Sequence, residues 1–289
     1  MATLKDIRKR IGSVQNSQKI TKAMKMVAAA KLRRSQNALV QARPYEKNIS
    51  EVLKRVAEQL PENASPYLEM KEAAGLPVRL IVFNSDRGLC GGFNSNLLRK
   101  VLFFLNTDAK NFPKVDLTVL GKKGRDFFRA RKMIIDQELP GSSEKPEFSK
   151  SLELAQQLLQ DYQDQKFGAL YIAYNSFKSA ISQEVRIRKV LPFDLPEASS
   201  TEEQLPVIYE PSLMALFDQL VPRYVASQMH MAMLESVASE MGARMSAMEN
   251  ATNNAKEMIG ILTLQYNRAR QAMITKELMD IVNGAEALK

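Results

Sequence analysis

The chain has 289 residues, 45% hydrophobic and 25% charged, the make-up of a folded globular protein rather than a disordered tail. Lys and Arg outnumber Asp and Glu by 41 to 32, a formal net charge of +9, so an acidic protein surface, a nucleic acid or an anionic membrane is the expected partner. One cysteine, Cys90, and one histidine, His230, exclude an internal disulfide, a multi-cysteine metal site and a His-rich metal cluster, and suit a reducing compartment.

Residues 1–57 contain no glycine but Gly12 and no proline but Pro44, and Ala, Lys, Arg, Gln and Met dominate. That composition predicts one long helix, bent near Pro44. Every third or fourth position from Leu4 to Ala42 forms a heptad seam, apolar except for Gln18, Thr21, Lys25 and Ser35. The same helix holds ten basic residues before position 35 (Lys5, Arg8, Lys9, Arg10, Lys19, Lys22, Lys25, Lys31, Arg33 and Arg34) against the single acid Asp6. A solvated helix face accounts for such a bias, and so does a surface made for an acidic partner.

Residues 58–76 hold Pro61, Pro66 and small polar residues and read as a linker. From 77 to 193 the pattern alternates. Apolar runs at 78–86, 115–121, 133–139, 167–177 and 182–192 read as strands, and helical stretches at 96–106, 123–132 and 150–163 separate the first four. This predicts a Rossmann-like α/β domain with a mostly parallel sheet covered on both faces, closed by a hairpin turning near Lys178 to Ser182. The acidic stretch within 194–210 reads as a second linker.

Residues 211–289 repeat the opening at greater length, with a heptad seam from Met231 to Met273. At about 1.5 Å per residue, some 75 helical residues span on the order of 110 Å, more than one domain can bury. The predicted fold class is therefore α/β plus a long antiparallel α-helical coiled coil, formed by the N- and C-terminal helices, with the α/β domain inserted between them. A homodimeric coiled coil is the alternative that periodicity leaves open.

Few segments suggest chemistry. The Gly-rich turn at 85–93 follows a strand and precedes a helix, where phosphates often bind. It has neither G-x-G-x-x-G nor G-x-x-x-x-G-K-[ST], and GKKG at 121–124 lacks the hydroxyl that would hold Mg²⁺. Cys90 sits in that turn with the single histidine far away in sequence, so a small buried residue is expected rather than a nucleophile. A basic helix could follow a nucleic-acid backbone, but no aromatic interleaving or DNA-reading module accompanies it. Apolar runs such as 80–83 and 169–174 fall far short of the roughly 20 residues that cross a bilayer. The start of the chain lacks the apolar region of a signal peptide.

Segments 7–36, 85–97, 235–259 and 264–285 together resemble the gamma subunit of F-type ATP synthases, in order and over essentially the whole chain. The resemblance implies a non-catalytic central rotor that couples ion-driven turning of the membrane c ring to ATP synthesis or hydrolysis on beta subunits. It implies alpha and beta subunits around the shaft, epsilon and the c ring at its foot, no nucleic acid, and no cofactor on this chain. By position it assigns Met24, Lys25, Arg244, Gln271, Thr275 and Glu277 to contact with the alpha/beta ring, and Tyr209 and Glu210 to the c-ring side. A bacterial protein, peripheral on the cytoplasmic face of the inner membrane, is expected. The single cysteine lacks the redox-regulatory pair of the chloroplast form.

Overall fold

The computed structural model describes residues 3–61, 64–68, 75–139, 146–193, 209–210 and 212–286. The expected linker 58–76 lies partly outside these residues, and most of the expected linker 194–210 does so. Along the chain come α1 (Leu4–Glu58), β1 (Val78–Phe83), α2 (Phe93–Asn106), β2 (Val115–Leu120), α3 (Lys122–Ala130), β3 (Gln137–Leu139), α4 (Phe148–Gln163), β4 (Ala169–Phe177), β5 (Gln183–Leu191) and α5 (Leu213–Glu286). Two compact units result, one of residues 29–244 and one that joins residues 1–28 to 245–289.

In the larger unit the five strands are ordered β3-β2-β1-β4-β5. β1, β2, β3 and β4 run parallel, and β5 pairs antiparallel with β4. Alternation along β1 builds two cores. Leu80 and Val82 face α2 and α3 with Leu97, Val101 and Phe128, while Ile81 and Phe83 face α4 with Leu158 and Tyr162. A strand covered on both sides reads as an unbroken apolar run, as VRLIVF nearly does. Leu53 and Val56 of α1, with Phe217, Val221, Val225 and Met229 of α5, join the second core. Both long helices thus contribute to the same packed face.

The hairpin turn falls as expected, with the Ser179 amide donating to the Ser182 carbonyl at 3.0 Å. β3 is shorter than the run at 133–139 predicted. Met133 and Ile135 pack into the core ahead of it, and Asp136 turns its carboxylate to accept the Leu117 amide at 2.7 Å. Pro44 and Pro222 lie inside their helices.

In the smaller unit, Thr3 caps α1: its side chain and amide bond Asp6, whose own amide bonds Thr3 in return. These hydrogen bonds from Thr3 hold the Asp6 carboxyl below its ordinary pKa. The helices pair antiparallel. Lys25 Nζ meets Glu249 at 2.6 Å and the hydroxyls of Thr21 and Thr252 meet at 2.8 Å, so numbers fall along α1 as they rise along α5. The heptad register is realised. Leu4, Ile7, Ile11, Val14, Gln18, Thr21 and Lys25 are buried or half-buried, as are Met248, Thr252, Ala255, Ile259, Leu262, Tyr266 and Ala269. Met273, the last expected seam position, is instead 51% exposed. Stepping 17 residues either way from the Thr21–Thr252 pair sets Leu4 opposite Ala269, and α1 begins at Leu4.

Candidate functional site

Beyond Ala269 every residue of α5 from Arg270 to Asn283 is exposed. Gln271, Thr275 and Glu277 lie here, within two turns of one another. The Thr275 hydroxyl donates to the Gln271 carbonyl at 2.9 Å, which keeps it against its own helix. Around them Met273, Ile274, Leu278, Met279 and Ile281 are all about half exposed or more. A helix end with this much open apolar surface is the mark of a surface made to be covered.

Met24 and Lys25 sit in the same unit, half-buried on α1, beside the exposed Met26 and Val27. Lys25 is the cation of the pair with Glu249. The remaining expected contacts belong to the larger unit. Tyr209 is half-buried and packs on the core that α4 and α5 share, and Glu210 beside it is exposed. Arg244 is only 9% exposed. Its guanidinium pairs with Glu240 at 2.7 Å and donates to the carbonyls of Gly88 at 3.3 Å and Arg87 at 3.5 Å.

Arg244 therefore reaches the Gly-rich turn at 85–93, which sequence singled out for its resemblance to a phosphate loop. Leu89 and Gly91 both take positive φ there. Asn94, at the start of α2, ties the turn together: its amide nitrogen donates to Ser85 Oγ at 2.8 Å and its oxygen accepts the Ser85 amide at 3.2 Å. Ser85 Oγ in turn donates to the Arg87 carbonyl at 2.7 Å. Cys90 lies beneath, 2% exposed, against Phe93 and Ala243. Burial pushes its thiol pKa up and the nearby Arg244 only partly opposes this. It is the small buried residue expected from sequence. The roles of Glu240, Asn94 and Ser85 are not expected from sequence, although each lies in a segment that carries the family resemblance. Only the Glu240–Arg244 spacing of four on a helix gave a signal for any of them.

His230 is half-buried, its ring edge-on to Phe148 with centroids 5.6 Å apart. Burial lowers its pKa, so the neutral ring is favoured. Among the described residues no group of three or more His, Cys, Asp or Glu could hold a metal ion, and no helix is long and apolar enough to cross a membrane.

An exposed apolar helix tip of this kind defines a protein built to work as part of an assembly. The chain matches the family described as ATP synthase over residues 3–288. It is 48% identical over 292 residues to the ATP synthase gamma chain of Anaeromyxobacter sp. (strain Fw109-5) and 45% identical to that of Geotalea uraniireducens (strain Rf4), covering 100% of each chain. Among solved structures, a chain of the Tetrahymena thermophila mitochondrial ATP synthase central stalk and c ring superposes with TM-score 0.60 at 27% identity, over 80% of this chain and 99% of that one. A chain of the Euglena gracilis mitochondrial enzyme shares the fold with TM-score 0.69 at 20% identity, over 99% and 94%. The chain belongs to the ATP synthase gamma-chain family. It is the central-stalk rotor subunit of that complex and not itself the catalyst.

Proposed function

We propose that this chain couples rotation of a membrane c ring to the catalytic cycle of beta subunits by presenting different faces to each of them in turn. The observation that carries this reading is the α5 tip, where fourteen consecutive residues from Arg270 to Asn283 are exposed and many are apolar. Such a surface is covered in a working protein, and the alpha/beta ring is the partner to which the family assigns it. A contact that differs from one catalytic subunit to the next biases each toward a different conformation, and turning the shaft moves the bias on.

Met24, Lys25, Gln271, Thr275 and Glu277 are proposed as ring contacts. Arg244 is proposed to serve the ring through the Arg87–Gly88 turn that it holds, since its own donors face inward. Tyr209 and Glu210 are proposed for the c-ring side, with residues 77–193 as the foot of the rotor and epsilon beside it. The excess of basic residues early in α1 fits acidic segments on the beta subunits, because complementary charge favours position and encounter rate. The setting proposed is peripheral, on the cytoplasmic face of a bacterial inner membrane, with nucleotides and Mg²⁺ held by partner subunits and no nucleic acid bound.

The test is the double variant Gln271→Ala with Thr275→Ala, reconstituted with partner subunits in vesicles. Both side chains are exposed, so folding should change by no more than about 0.5 kcal/mol, while ATP synthesis falls severalfold. Synthesis at the wild-type rate would remove these residues from the interface.

A further inference from the structure

We propose that Arg244, ion-paired with Glu240, is a positioning residue within this chain. It clamps α5 to the carboxyl ends of β1 and β4 and holds the Arg87–Gly88 turn closed over Cys90. In a sheet ordered β3-β2-β1-β4-β5, the strand order reverses between β1 and β4. The crevice outside the carboxyl ends at such a reversal is where open α/β sheets take ligands. Here α5 fills it. Ser239 Oγ donates to the Asn175 carbonyl near the end of β4 at 3.0 Å. Gly242 passes so close to the hairpin that a Cβ on it would sit 3.1 Å from the Ala180 carbonyl. One turn's reach further, Arg244 supplies donors to Arg87 and Gly88 just after β1.

The chemistry suits a clamp. Arg87 is exposed and Gly88 half-buried, but their carbonyls accept from the buried Arg244, whose guanidinium offers several donors in a rigid fork. Glu240 neutralises the buried charge and aims the fork from one turn away. The apolar contacts of α5 with the sheet are not directional, whereas hydrogen bonds to named carbonyls fix how the helix is rotated about its axis. The functional consequence rests on the rotor reading: the clamp keeps the inserted domain and the shaft helix in angular alignment as torque passes between them.

Cys90 reports on the clamp directly, because it is the sole thiol of the chain and lies under the turn. In the isolated full-length chain, Arg244→Met should raise the rate of Cys90 modification by DTNB at least tenfold, with Arg244→Lys between it and wild type. Phe217→Leu, which loosens the buried core elsewhere, serves as the control for general loss of stability. A rise in Arg244→Met and not in Phe217→Leu supports the clamp. An equal rise in both, or none in either, overturns it. If Arg244→Met fails to fold, Glu240→Gln and Ser239→Ala are compared with the same control and judged in the same way. In the reconstituted complex, Arg244→Met should lower ions pumped per ATP hydrolysed at least twofold, with partial rescue by Lys. An unchanged ratio beside faster Cys90 modification would overturn the transmission role while leaving the clamp in place.

Discussion

Helix α5 passes through three environments, and its residue choices change with each. From Val225 to Met229 five successive residues are buried, and from Ser236 to Arg244 nine more, so the helix is enclosed on most of its circumference. Ala, Ser and Gly are frequent there (Ala226, Ser227, Ser236, Ser239, Gly242 and Ala243), since small side chains let neighbouring backbone come close. From Met245 to Ala269 burial contracts to a single stripe, and Lys256, Glu257 and Arg268 occupy the open faces. From Arg270 to Asn283 every residue is exposed. High helix propensity is common to all three stretches. What differs is the source of stability: close packing on a sheet in the first, one partner helix in the second, and in the third, on the rotor reading, other subunits.

That contrast can be broken most forcefully in the sheet domain. Gly121 has φ of +101° and a Cβ there would overlap the Asn84 carbonyl, which is backbone and cannot step aside. Gly121→Ala should therefore cost about 2 kcal/mol or more, read as a fall in the urea midpoint. An unchanged midpoint would mean that the turn has room the structure does not show. Leu262→Asp tests the stripe. A carboxylate at a half-buried seam position loses apolar contact and gains a desolvation cost, about 1–2 kcal/mol where water remains near. Helical signal and assembly should fall while Cys90 in the other unit stays protected. If Cys90 opened as well, the two regions would share their stability and the contrast would fail.

How much of this could be read from sequence depends on how far each feature reaches along the chain. The seam is periodic within a single helix, so its register was legible from Leu4 to Lys25 and from Met248 to Ala269 without knowledge of anything distant. It failed at Met273 because periodicity continues past the point where the partner helix begins. The strands were legible from their apolar runs, and the glycines at 85–93 marked a turn between β1 and α2. The direction of Arg244 was not legible. Its acceptors lie 157 and 156 residues earlier in the chain, and a lone arginine on a long basic chain reads as a surface cation. Nor was the packing of Tyr209 legible, because it depends on α4 and α5 meeting the same sheet face.

The smallest effect separates the stripe from the enclosed stretch at two glycines of the same helix. Gly260 is exposed and a Cβ there would have nothing within 4 Å, while Gly242 would place its Cβ 3.1 Å from the Ala180 carbonyl. A helical glycine adds backbone entropy to the unfolded chain, so Gly260→Ala should stabilise by about 0.5–1 kcal/mol. The same propensity gain is available to Gly242→Ala. There it must displace a hairpin backbone, and the clamp between Ser239 and Arg244 leaves α5 no freedom to shift away. Thermal melts should move up for the first variant and down for the second. If both moved up, the hairpin would be yielding to the helix, and glycine replacement would not distinguish the enclosed stretch of α5 from the stripe.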